Sequence, residues 1–139
     1  AIGLKQFERY PDMLKRRKEI IEKYDSVLRP LGVETLLHFA KDYQSSGHLY
    51  ITRIPNITSE QRNEIINEMA KREIACNVHY KPLPMHTAYK NMGFDIKDFP
   101  NAYNRFANEI TLPLHTCLTD EQVEYVVSNY AEIVKGYLF

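Results

Sequence analysis

The chain has 139 residues, 44% of them hydrophobic and 26% charged, which are ordinary values for one soluble globular domain. Lys plus Arg and Asp plus Glu both number 18, so the net charge is zero and the positive excess of a nucleic-acid binder is missing. No apolar run reaches the length of a membrane span and no stretch reads as a secretory signal, so a cytoplasmic protein is expected.

Along the first part of the chain Phe7, Tyr10, Leu14, Ile21, Tyr24 and Leu28 recur at spacings of three and four, interrupted by Arg17 and widened by Met13, Ile20 and Val27. This is the pattern of an amphipathic helix with one broad buried face, running from about Gly3 to Leu28. Pro11 is expected to kink it or to open a second segment. Such a helix is about 38 Å long, against roughly 37 Å for the whole domain. Its first turns, with Leu4 and Phe7, are therefore expected to reach past the body and to leave an apolar patch that drives self-association. A chain that starts at Ala1 inside this helix reads as a piece of something longer. Lys15-Arg16-Arg17-Lys18, followed by Glu19 and Glu22, reads as a solvated face or as a phosphate contact.

Arg29-Pro30-Leu31-Gly32 stops the helix. Val33 to Leu37 is expected as an edge strand, Asp42 to Gly47 as a turn, and His48 to Ile54 as a strand rich in β-branched and aromatic residues, ended by Pro55. Thr58-Ser59-Glu60-Gln61 has the form of a capping box, and Ile65, Ile66, Met69 and Ala70 line the helix that follows. A strand is expected over Ile74 to His79, a short helix near His86 to Asn91, a turn at Gly93 and another short helix after Pro100. Glu109 to Leu112 reads as a strand. Thr119-Asp120-Glu121-Gln122 repeats the capping box ahead of a terminal helix carrying Val123, Val126, Val127, Tyr130 and Val134. The sum is a single α+β domain over residues 1–139: a small, mainly antiparallel sheet with helices packed on one face.

Chemistry concentrates where the expected strand Ile74–His79 gives way to a proline-stiffened loop, Asn77-Val78-His79-Tyr80-Lys81-Pro82-Leu83-Pro84. An imidazole, a phenol and an ammonium stand on three consecutive residues there, on irregular backbone with a rigid scaffold behind it. His79 reads as facing a ligand or as a strand-end histidine bonded to backbone. Tyr80 reads as a ligand contact or a packing residue, and Lys81 as a point charge for an anion or as ordinary surface. His86 and His115 are weaker candidates. Arg53, in mid-strand, has the fork to hold a carboxylate, or it pairs with a local acid. His79, His86 and His115 lack zinc-ligand spacing and an accompanying carboxylate, so no metal is expected. Cys76 and Cys117, far apart among apolar residues, are expected as buried free thiols. No nucleophile–base arrangement or phosphate-cradling glycine loop is found, with only five glycines in the chain.

In order, Gln6-Phe7-Glu8-Arg9, Lys15-Arg16-Arg17 and Tyr24 on the long helix, Gly47-His48-Leu49-Tyr50, Val78-His79-Tyr80-Lys81-Pro82-Leu83, Leu112-Pro113-Leu114-His115 and Leu118-Thr119-Asp120-Glu121-Gln122-Val123 form a specific set. Over nearly its whole length the chain resembles the C-terminal small domain of the PLP-dependent nucleotide-sugar aminotransferases, the DegT/DnrJ/StrS-like family of fold type I. The resemblance implies a homodimeric enzyme that moves an amino group from glutamate onto a nucleotide-linked keto-sugar for lipopolysaccharide or other surface glycans. It implies His79, Tyr80, Lys81 and His86 as substrate-binding residues. It also implies that the Schiff-base lysine and the other PLP-holding groups belong to a large domain outside residues 1–139. This chain is therefore expected to carry no catalytic residue, to bind no PLP and to be inactive by itself. The alternative is a non-catalytic interaction or ligand-sensing domain on the same α+β body.

Overall fold

In the computed structural model, which describes residues 2–138, helix α1 (Ile2–Leu28) contains Pro11 in its interior and no second helix begins there. The carbonyl that the proline leaves without a helical donor belongs to Phe7, a residue 74% exposed, so that turn of the helix lies on the solvent side. The apolar stripe divides at mid-helix. Ile20, Ile21, Tyr24 and Leu28 are buried, whereas Ile2, Leu4 and Phe7 project into solvent. The expected single buried face thus holds only for the second half, because the body of the domain extends no further along the helix.

Gly32, with φ of 91°, closes the turn after α1 in a conformation that suits glycine. Three antiparallel strands follow in the spatial order β1 (Glu34–Thr35), β2 (Tyr50–Arg53), β3 (Glu109–Leu112). The register pairs Tyr50 with Leu112, Ile51 with Thr111, Thr52 with Ile110 and Arg53 with Glu109. Because side chains alternate across a strand, Tyr50, Thr52, Ile110 and Leu112 share one face. On that face lie α1, α2 (Ser59–Lys71) and α5 (Asp120–Lys135), with Ile65, Met69, Val127, Tyr130 and Val134 in the core.

Both helices with capping boxes start where their residues direct. Thr58 and Thr119 accept the amides of Gln61 and Gln122 through their side chains, and those glutamines return the bond to the cap amides. In the core Thr52 Oγ1 donates to the Ile110 carbonyl at 2.7 Å and lies 2.6 Å from the Tyr130 hydroxyl. Tyr24 donates to the Pro113 carbonyl at 3.0 Å, tying α1 to the end of β3.

Two expectations fail. The strand over Ile74–His79 does not form; only Asn77 pairs with Thr111, its amide donating at 3.1 Å and its carbonyl accepting at 2.8 Å. Side chains take over beyond it: Asn77 Oδ1 accepts the Val78 amide, and the Glu109 carboxylate accepts the His79 amide, so the ladder ends after one rung. Cys117 is exposed rather than buried, since it lies in the turn between β3 and α5; Cys76 is half-buried, and burial pushes its thiol up to about 12. Both are free. Among the described residues no helix is long and apolar enough to cross a membrane.

Candidate functional site

The face of the sheet turned away from the core carries Ile51 and Arg53 on β2 and Glu109 and Thr111 on β3, in cross-strand pairs. Arg53 is held there by Nε donating to Asn108 Oδ1 at 3.0 Å and Nη1 donating to Glu34 Oε2 at 2.9 Å. The local-acid reading of Arg53 is therefore the observed geometry, with Glu34 as the acid.

His79 arrives on this face because Asn77 is paired with Thr111, which sets the next residues alongside Glu109. Its amide donates to Glu109 Oε2 at 2.8 Å and its Nδ1 lies 2.9 Å from Thr111 Oγ1. Thr111 Oγ1 in turn donates to Glu109 Oε1 at 2.5 Å. Glu109 and Thr111 are buried. The Tyr80 ring stands edge-on to the imidazole, with centroids 4.6 Å apart.

Helix α3 (Thr87–Asn91) and helix α4 (Pro100–Ala107) complete the loop region, and α4 closes one side of the sheet face. Beside α4, His79, Tyr80, Arg53, Glu109, Arg105 and Phe106 border an open cavity of about 250 Å³, with Leu36, Ile51 and Ala102 as apolar walls. Phe106 is fixed from behind by the Arg62 guanidinium, 4.7 Å from its ring centroid, which also donates to the Phe106 carbonyl at 3.1 Å. Burial lowers the pKa of Arg62 from the usual arginine value, and the Glu109 charge opposes that shift. Arg105 forms no ion pair among the described residues, and it shares the cavity lining with the Glu109 carboxylate.

The structure brings together three of the candidates, His79, Tyr80 and Arg53. Lys81 is exposed and outside the cavity lining; His86 is exposed too, its Nε2 3.4 Å from the Lys81 carbonyl. His115 borders a separate hollow with Pro113, Leu118 and Tyr125. Among the described residues no three His, Cys, Asp or Glu side chains converge as a metal ion requires. Sequence reasoning left out Glu109, Thr111, Arg105 and Phe106. The available signal was the alternation Glu109-Ile110-Thr111-Leu112, which sets two polar side chains on the face opposite two apolar ones.

The family model for the DegT/DnrJ/EryC1/StrS aminotransferases matches residues 1–130. The chain belongs to that family. It is 32% identical over 139 residues to the spore coat polysaccharide biosynthesis protein SpsC of Bacillus subtilis, covering 98% of this chain and 36% of the relative. Identity to the UDP-4-amino-4,6-dideoxy-N-acetyl-beta-L-altrosamine transaminase of Helicobacter pylori is 27%, over 99% of this chain and 36% of that protein. Among solved structures, Spr1654 of Streptococcus pneumoniae, described as a sugar aminotransferase and determined in its PLP form, superposes with a TM-score of 0.93 at 50% identity. The match covers 99% of this chain and 35% of that one. Helicobacter pylori PseC, an aminotransferase involved in the biosynthesis of pseudoaminic acid, gives 0.87 at 27% identity over 98% of this chain and 36% of its own. The chain thus spans about a third of the length of the family members it matches.

The family's cofactor needs a lysine inside the site, and every lysine of this chain is exposed, none of them bordering the cavity. The residues present do not make a complete PLP site.

Proposed function

We propose that the chain is the C-terminal small domain of a PLP-dependent aminotransferase that acts on a nucleotide-linked keto-sugar, in the making of lipopolysaccharide or another surface polysaccharide. Glutamate is the amino donor, the intact enzyme works as a homodimer, and the cofactor with its lysine is held by polypeptide outside these 139 residues. The cavity above β2 and β3 is this domain's part of the sugar pocket. His79 and Tyr80 meet the sugar, Arg105 supplies positive charge for an anionic group on the substrate, and Lys81 and His86 act further along the same loop. By itself the chain transfers no amino group.

One observation carries this reading: a family match that runs through residues 1–130 here yet fills only about a third of its relatives. The exposed apolar end of α1, through Ile2, Leu4 and Phe7, supports it as a surface covered in the larger assembly.

The test joins this chain to a polypeptide carrying the family's cofactor lysine, and measures amino transfer from glutamate to a nucleotide-linked keto-sugar. Transfer by the joined protein and none by the bare chain is the expected result. Transfer by the bare chain with added PLP overturns it. Tight binding of a metabolite by the bare chain, with no transfer after joining, establishes the ligand-sensing alternative instead.

A further inference from the structure

The hydrogen bonds behind His79 contain more information than its position does. A threonine hydroxyl has one proton to give. Thr111 Oγ1 lies 2.5 Å from Glu109 Oε1, and an ionised carboxylate only accepts. The other oxygen of Glu109 is already occupied by the His79 amide, at 2.8 Å. The proton of Thr111 is therefore committed to Glu109. What remains on Thr111 Oγ1 is a lone pair, 2.9 Å from His79 Nδ1, and only a protonated Nδ1 satisfies it.

The far nitrogen follows from the near one. In a neutral imidazole one nitrogen carries hydrogen and the other accepts. Nε2 makes no hydrogen bond among the described residues and is not shut off from solvent. The cavity that His79 borders has apolar walls at Leu36, Ile51 and Phe106, and the nearby Arg53 is turned to Glu34 and Asn108.

We infer that Glu109 and Thr111 are positioning residues that hold His79 as its Nδ1–H tautomer, so that the cavity meets Nε2 as a hydrogen-bond acceptor. The ligand group selected there is one that brings its own hydrogen, a hydroxyl or an amine, and a carbonyl or carboxylate oxygen is repelled. This deepens the sugar-pocket reading by giving His79 a hydroxyl to recognise, while the tautomer itself stands without that reading.

Nitrogen-15 NMR of the labelled chain, at a pH high enough that its imidazole signals no longer move, reads the tautomer of His79 directly. The wild type is expected to favour Nδ1–H by roughly tenfold, the factor that one well-formed hydrogen bond supplies, against the Nε2–H preference of free histidine. Thr111→Val returns the ratio toward free histidine, and Thr111→Ser restores it. Glu109→Gln reverses it: the glutamine oxygen keeps the His79 amide, its NH₂ then faces Thr111, and the threonine proton turns to Nδ1. A predominance of Nε2–H in the wild type overturns the inference without any variant having to fold. So does a ratio that Glu109→Gln leaves unchanged. Amino transfer plays no part in this measurement, so failure here and failure of the aminotransferase reading are separate results.

Discussion

The amide of His79 donates to the carboxylate of Glu109 at 2.8 Å, in the place where a continued ladder would have offered it a backbone carbonyl. A side chain thus ends the strand pairing and begins the site. Glu109→Ala leaves that amide without its acceptor, while the Thr111 hydroxyl can turn its proton to His79 Nδ1. One orphaned amide costs about 1–3 kcal/mol unless water reaches it, so the variant should lose about 2 kcal/mol of stability. Urea unfolding measures the loss. Hydrogen exchange locates it, with faster exchange at His79 than at the core amides. An unaltered His79 exchange rate would show that the contact does not hold the loop.

A second prediction rests on the direction of a bond. Thr52 donates to the Ile110 carbonyl, so the Tyr130 hydroxyl 2.6 Å away is the donor to Thr52. Both side chains are fully buried. Thr52→Val, nearly the same in volume, leaves the tyrosine hydroxyl with no acceptor. Tyr130→Phe removes the donor but leaves Thr52 still bonded to Ile110. The valine variant should therefore be the less stable of the two by about 1–2 kcal/mol, read from urea midpoints. The reverse order would mean that the packing of the ring outweighs the hydroxyl.

The helices and the sheet were legible because their signals are local. Thr58 and Thr119 stand three residues before a glutamine, and both boxes close as written. The strands at Tyr50–Arg53 and Glu109–Leu112 lie inside the expected segments. What the sequence hid depends on distant partners. His79 meets Thr111 across 32 residues of chain, and nothing near either one announces it. The run Ile74–His79 has the composition of a strand, yet two side-chain acceptors capture its amides first. Similarly, the front of α1 has a core-like pattern with no core beneath it, since periodicity records amphipathicity and not what covers the apolar side.

The thiols should separate cleanly. Cys117 is exposed, whereas burial raises the pKa of Cys76 to about 12, so almost none of it is thiolate at neutral pH. A disulfide reagent such as DTNB should modify one thiol per chain promptly and the second only as the chain unfolds. Cys117→Ser should abolish the prompt phase and leave the slow one. Two prompt thiols would show that the region around Cys76 opens far more readily than the rest of the core.

His38 supplies the pH dependence. It is buried and stacked on Tyr50 with ring centroids 6.0 Å apart; Nδ1 lies 3.2 Å from Ser45 Oγ and Nε2 has no partner among the described residues. Burial lowers its pKa below the ordinary value, with the charge of Asp25 opposing and that of Arg29 assisting. The unfolded chain titrates near the ordinary value, about 6.5. Between the folded and unfolded values the unfolded chain binds more protons, so the free energy of unfolding decreases as the pH falls. The stability due to neutral His38 is complete above about pH 6.5 and is lost as the pH drops through the lower, folded value. His38→Gln removes the titrating group and keeps a polar side chain. The difference in urea midpoint between wild type and His38→Gln should therefore shrink or reverse on going from about pH 7.5 to about pH 5.5. Carboxylates common to both proteins cancel in that difference. A difference that stays flat across the range would mean that the folded protein accepts the charged imidazole without cost, and that Nε2 finds an acceptor once it carries a proton.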